Sequence, residues 1–360
     1  MEGFLRKYFA SAALAIVLAG CHNTASTSGA NGNATADNSA APAAEGAVSY
    51  QIDKVPLPGE GRGDYLLVDN DARRLYVTHS TQVHILDADT LKPVGAVTGL
   101  KAAHGVALAH GHAFVTDGDS NAVVMFDPAT GKTEKVIPAG KKPDSILHDP
   151  ASDMILAFDG DSEDVSVIDP VKAAVVKTIK LPNGPEFSQT DGKGLVFVNM
   201  EEGNDIGVID TKAMKLDHVI KLDGCDGPAP LAFDGANRRL FSGCGNKVMT
   251  VTDADTGKVI TTVPIGGDPD GIAFDPDKKR IFVANRDKTW TVIDQKDKDS
   301  YTVNQTLPID EYAKTVALDP KTHRIFTSTA DLIWPKPTPG KKLLPNAAPG
   351  SFRLLVVSEK

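Results

Sequence analysis

Between residues 62 and 358 the chain repeats one pattern of apolar and polar positions seven times, with a beat of about 41 residues. Its clearest copies are Arg74-Leu75-Tyr76-Val77-Thr78, His112-Ala113-Phe114-Val115-Thr116, Gly194-Leu195-Val196-Phe197-Val198-Asn199 and Arg280-Ile281-Phe282-Val283-Ala284-Asn285. Such short β-branched and aromatic runs form strands. One anchor per copy gives Tyr76, Phe114, Leu156, Phe197, Phe241, Phe282 and Phe326, spaced 38, 42, 41, 44, 41 and 44 residues apart. An Asp closing the next apolar run keeps step at Asp87, Asp127, Asp169, Asp210, Asp253 and Asp294, with Ser358 in the seventh copy. The tails that follow, such as Asp127-Pro128-Ala129-Thr130-Gly131, are tight-turn sequences, because Asp caps its own backbone and Gly takes positive φ. Each copy reads strand, turn, strand, loop, strand, turn, strand. Four short strands per period of about 40 residues predict an all-β fold, a seven-bladed β-propeller.

The ring has a predicted closure. Copies two to six end in a fourth strand of shared character, as in Val136-Ile137-Pro138-Ala139-Gly140 and Val263-Pro264-Ile265-Gly266, whereas the seventh stops at Leu354-Leu355-Val356-Val357-Ser358. The missing strand stands ahead of the first copy, at Val55-Pro56-Leu57-Pro58-Gly59, and is expected to complete the last blade. Proline suits an outermost edge strand.

Residues 1–20 carry Arg6 and Lys7, then an apolar stretch too short to span a bilayer, and are read as an export signal. Leu18-Ala19-Gly20-Cys21 resembles the lipobox of bacterial lipoproteins. That resemblance implies cleavage before Cys21, lipidation of Cys21 and, with His22 following, an outer-membrane location facing the periplasm. Residues 21–47 are then a lipidated Cys and a tether of Ala, Ser, Thr, Asn and Gly that cannot bury a core, spanning roughly 25 to 30 Å. The propeller is assigned to residues 48–360 and expected as a monomer.

Charge and cysteines narrow the partners. A net charge of -9 argues against nucleic acid, whose affinity comes from Lys and Arg neutralising phosphates. Cys225 opens blade five and Cys244 closes its second strand, on the same face, so an exported chain is expected to bridge them. Separate buried thiols are the alternative. There is no Cys-x-x-Cys-His haem motif, no Gly-x-Ser-x-Gly elbow, no His-Glu-x-x-His and no phosphate-cradling glycine loop.

The repeat also allows the channel mouth to be read. The Asp that usually follows the first strand (Asp69, Asp149, Asp191, Asp234, Asp275, Asp319; Ala109 in copy two) brings one residue per blade to a matching position: Asp64, His104, Asp144, Glu186, Ala229, Asp270 and Lys314. Two residues earlier lie Arg62, Lys142, Asp268 and Tyr312. This ring is the expected ligand site. Asp144, Glu186, Asp270 and His104 are the residues that would take a divalent cation, Ca²⁺ through carboxylates or Zn²⁺ through the imidazole. The bland alternative is a hydrated ring in which carboxylates pair with Lys314 and Lys142. Loops on the same face are acidic in blades two to four; Asp117, Asp119 and Asn121 match the first positions of a calcium loop but lack its final Glu, and these loops are read as solvated turns. The corresponding loop of blade seven is longer, residues 330–350, and its Leu332, Ile333 and Trp334 are expected to anchor a partner, lid the mouth or cover the closure seam.

The phrase Tyr76-Val77-Thr78-His79, echoed by Phe114-Val115-Thr116-Asp117 and Phe282-Val283-Ala284-Asn285, resembles the YVTN family of β-propeller repeats. The resemblance implies a secreted or surface seven-bladed protein, with relatives among quinoprotein-associated propellers and lactonase-like enzymes. Three functions stand on these residues. The first is a non-catalytic binding or scaffold module acting through the loop face around the channel. The second is a metal-dependent hydrolase resembling lactonases, with the cation on Asp144, Glu186 and Asp270 and with His104 moving protons. The third is an accessory to a periplasmic quinoprotein dehydrogenase.

Overall fold

A computed structural model describes residues 48–337 and 343–360; Cys21, the expected tether and Lys341 and Lys342 lie outside them. Among the described residues the strands form seven four-stranded antiparallel sheets. Blade 1 is Gly63–Asp69, Arg74–His79, Gln82–Asp87 and Pro93–Thr98, and the same order recurs through blade 6, which begins at Pro269–Asp275. The innermost strands pack on one another in sequence around the ring, and that of blade 7 meets that of blade 1.

Each seam between neighbouring sheets has its own apolar cluster, so the core is distributed as seven wedges. The period of two along a strand feeds both seams of a blade. In Arg74–His79, Tyr76 enters the seam with blade 2, while Leu75 and Val77 enter the seam with blade 7. The seven repeat anchors are all buried. A single sheet cannot cover both of its faces, and the radial stack does it for every blade.

The repeated aspartates are turn caps. Asp87 Oδ1 accepts the N–H of Thr90 at 2.8 Å, Asp127 Oδ1 that of Thr130 at 2.8 Å and Asp253 Oδ1 that of Thr256 at 2.9 Å. The aspartates closing the first strands also tie blades together on the face opposite the mouth. Arg73 donates to Asp319 at 2.6 Å, His323 to Asp275 at 2.8 Å and Thr211 to Asp149 at 2.7 Å. Arg73 and His323 sit at φ 51° and 57°, left-handed backbone that directs each side chain back toward the preceding blade.

Blade 7 closes the ring with strands from two distant segments. Tyr50–Pro56 runs antiparallel to Arg353–Glu359, in register from Tyr50 opposite Glu359 to Pro56 opposite Arg353, and the Leu57 N–H continues the pairing to the Phe352 carbonyl at 3.0 Å. Cys225 and Cys244 are joined by a disulfide, with Cα atoms 5.4 Å apart, linking the start of blade 5 to the end of its second strand. Among the described residues no helix is long and apolar enough to cross a membrane.

Candidate functional site

The mouth is built by a local irregularity repeated around the ring. The first strand of each of blades 1 to 6 shifts register against its neighbour just after its opening residue, between Gly63 and Leu66, Ala103 and Val106, Pro143 and Ile146, Pro185 and Ser188, Pro228 and Leu231, and Pro269 and Gly271. Asp64, His104, Asp144, Glu186, Ala229 and Asp270 all lie in those shifts, released from the ladder, which is how a bulge re-aims a side chain. Side chains of the preceding blade take up their carbonyls. Thr315 Oγ1 donates to the Asp64 carbonyl at 2.6 Å, Thr116 Oγ1 to that of Asp144 at 2.5 Å, Ser145 Oγ to that of Glu186 at 2.6 Å and Asn199 Nδ2 to that of Ala229 at 3.3 Å.

Six of the seven ring residues line one cavity of about 440 Å³, as do Arg62, Lys142 and Tyr312. Ala229 and Asp268 do not. Asp268 instead offers its carbonyl to the Arg286 N–H at 3.1 Å, and its φ of 52° belongs to a left-handed geometry shared with Lys142 and Tyr312 at matching positions. Beneath the polar mouth, Tyr65 also lines an apolar cavity in the channel and meets Phe187 from across the ring at 5.0 Å.

Charges at the mouth are chained together. Lys314 Nζ bridges Asp64 Oδ1 at 2.7 Å and Asp270 Oδ2 at 2.6 Å, and Arg286 Nη2 donates to the other oxygen of Asp270 at 2.8 Å. His104 Nδ1 lies 2.6 Å from Asp64 Oδ2 and 3.4 Å from Asp144 Oδ1. Burial disfavours a charged Asp64, but Lys314 and His104 outweigh it and hold the carboxyl well below the usual range. Burial likewise works against the His104 imidazolium, yet the hydrogen bond to Asp64 and the field of Asp144 push it up to about 9, so it is charged at neutral pH. Glu186 is pushed up to about 8 by burial and then by Asp144 and Glu201. It is therefore a neutral acid near pH 7. Burial also raises Asp144.

This pairing departs from the expected metal set. Asp270 is taken by Lys314 and Arg286, and at the mouth the donors that lie within 4.8 Å of one another are Asp64, His104 and Asp144, without Glu186 or Asp270. A divalent cation on these three would have to strip the imidazole of its proton and compete with Lys314 for Asp64. Arg286, Tyr65, Lys101 and Asp119 also line the mouth but were not indicated by the repeat alignment. A signal for Arg286 exists in the sequence: it follows Asn285 at a place where blades 2 and 3 have Gly118 and Gly160. At Gly118 a Cβ would lie 2.8 Å from His104 Nε2, so that glycine makes room for the imidazole.

The blade 7 loop rims the same mouth. Leu332–Ile333 pairs with Asn346–Ala347 as a small hairpin, and Leu344 reaches the cavity wall. Trp334 packs edge-on to Tyr312 at 6.5 Å and donates its indole N–H to Glu311 at 3.2 Å. Ile333 and Trp334 remain about half exposed, at 53% and 48%.

No family model matches the chain, so the likeness to YVTN repeats stands as a resemblance. Over 188 residues the chain is 31% identical to Antigen Lp49 of Leptospira interrogans serogroup Icterohaemorrhagiae serovar copenhageni (strain Fiocruz L1-130), a match covering 49% of this chain and 41% of that protein. The chain thus spans about two fifths of that relative's length. Among solved structures, Kuenenia stuttgartiensis Hydrazine Synthase superposes with a TM-score of 0.65 at 17% identity, over 76% of this chain and 94% of that one. At that identity the likeness shows the fold, a β-propeller, and nothing about activity.

Proposed function

We propose that this chain is an exported, lipid-anchored propeller that binds a small polar ligand or a partner group at the channel mouth, without catalysing a reaction. The observation that carries the reading is the cavity of about 440 Å³, to which six blades each deliver an ionisable side chain, five of them released by a register shift at the start of the innermost strand. Sites so converged on one concavity are the default binding locus of a fold. Export is supported by the Leu18-Ala19-Gly20-Cys21 tetrapeptide and by the disulfide, a bond that persists in oxidising compartments. Replacing Cys21 with Ser is expected to release the protein from the membrane fraction; retention there would remove the anchor from the proposal.

The test of the site is thermal unfolding of the full chain against a panel of small polar metabolites and of Ca²⁺, Zn²⁺ and Mn²⁺, beside the Asp270→Asn variant. A ligand at a hundred times its dissociation constant adds about 2.7 kcal/mol. A rise in midpoint that the variant abolishes supports binding at the mouth, whereas a rise unchanged by the variant puts the ligand elsewhere and overturns it. The second reading, a metal-dependent hydrolase, is favoured by the proximity of the Asp64, His104 and Asp144 donors. It requires a metal-dependent rise that releases a proton and that lactone hydrolysis follows.

A further inference from the structure

The cavity walls are not electrically balanced. Its acids are mostly paired: Asp64 with Lys314 and His104, and Asp270 with Lys314 and Arg286, while Asp144 lies 3.4 Å from the His104 imidazole and its Oδ1 accepts no hydrogen bond. Glu186 is kept neutral by burial, and Asp119 is an exposed acid at the rim. Three cations have no carboxylate partner among the described residues: Arg62, Lys101 and Lys142. They come from successive blades, Arg62 ahead of blade 1, Lys101 ahead of blade 2 and Lys142 ahead of blade 3. With Arg286 on blade 6 and Lys314 on blade 7, they form an arc of positive charge running through blades 6, 7, 1, 2 and 3 of a protein whose net charge is -9.

Two features fix this arc in place. Arg62 donates to the Tyr312 hydroxyl at 3.0 Å and stands over the Tyr312 ring at 5.3 Å, with the Arg286 guanidinium 5.4 Å from the same ring, so the aromatic side chain spaces two guanidinium groups. Lys142 holds φ 55°, left-handed backbone that an L-residue rarely adopts, and its N–H is fixed by Asn121 Oδ1 at 2.9 Å. The Arg286 Nε–H, buried and without an acceptor, adds an unmet donor on the same side.

We propose that the mouth binds its ligand through an oxyanion group, a carboxylate or a phosphate, held by Arg62, Lys101 and Lys142. The inference rests on the binding reading above and names the chemistry that reading leaves open. Guanidinium forks match planar or tetrahedral oxyanions by paired hydrogen bonds, and lysines add point charge.

Isothermal calorimetry of the full chain with succinate, with inorganic phosphate and with spermidine as a cationic control, each up to about 10 mM so that even a millimolar ligand registers, tests it. One of the two anions is expected to bind, identifying carboxylate or phosphate as the group. Its affinity should fall by about tenfold or more in Arg62→Ala and in Lys142→Ala, and should weaken with added salt. Lys172→Ala, on the turn at the opposite face, should leave it unchanged. Neither lysine carries an ion pair of the mouth, so the Lys142 variant keeps the test valid if loss of Arg62 disturbs Tyr312. Anion binding indifferent to both mouth variants overturns the assignment. Spermidine binding in place of the anions overturns the oxyanion inference and, where Asp270→Asn weakens it, leaves the mouth a binding site; the absence of any binding overturns the oxyanion inference.

Discussion

Lys314 shows what a buried charge needs at this mouth. Its ammonium satisfies Asp64 and Asp270 together, and burial alone would lower its pKa, yet the two carboxylates raise it instead. Lys314→Met would leave two carboxylates facing an apolar side chain, a loss of about 3 kcal/mol or more that urea unfolding would register. A second residue-scale prediction concerns His79 and His84, whose ring nitrogens lie 3.1 Å apart, with Phe352 stacked on His79 at 3.6 Å. Burial lowers both to about 4, with the charge of His84 contributing to the shift of His79. Because the unfolded imidazoles protonate near pH 6.5, their contribution is complete above that pH and is lost as the pH falls toward 4, by at most about 3 kcal/mol for each ring. The thermal midpoint should therefore drop between about pH 7 and pH 4.5, and His84→Gln should flatten that drop. The pairing of ring carboxylates with Lys314 was legible in the sequence, though not with Lys142 as its companion, and the His79–His84 contact was not. The repeat placed Asp64, His104, Asp144, Glu186, Asp270 and Lys314 at one level, but which acid pairs with which cation depends on where Arg286 reaches, and Arg286 comes from a different strand.

At the scale of the strand, the irregular start of the innermost strand in blades 1 to 6 converts a repeating framework into a varied site. The ladder and the turn-capping aspartates are nearly the same in every blade, so period and turn chemistry revealed them directly. The bulges were hidden because register belongs to a pair of strands rather than to one. The hydroxyl hooks from Thr116, Ser145 and Thr315 were hidden for the same reason, since each serves the next blade. Close approach of neighbouring backbones explains the glycine that follows Asp270. A Cβ on Gly271 would lie 2.7 Å from the Lys314 carbonyl oxygen and 2.9 Å from the Thr315 Cα. Gly271→Ala is expected to cost about 1 to 3 kcal/mol and to shift Lys314 away from Asp270. Equal denaturation midpoints for variant and wild type would show that the seam between blades 6 and 7 yields more easily than its packing implies.

For the whole molecule, stability is the sum of seven similar seams, one of which has to be made by strands distant in sequence. Blade count and closure were legible because both rest on the repeat, and the disulfide because its two cysteines fall on one face of one blade. Reducing Cys225–Cys244, which closes a loop of 19 residues, should lower the unfolding free energy by about 3 kcal/mol. Reduced and oxidised protein compared in urea would measure it.

Blade 7 carries a temporal consequence. Tyr50–Pro56 finds its hydrogen-bonding partner only at Arg353–Glu359, about 300 residues later, so during synthesis that strand waits with a bare edge until nearly the whole chain has emerged. Contacts this remote form last and slowly. A polypeptide cut short anywhere before Arg353 would present an unpaired strand and an open blade, both of which invite proteolysis and aggregation. The closing strand thereby acts as an inspection of completeness: only a chain read to its final blade can hide its first strand.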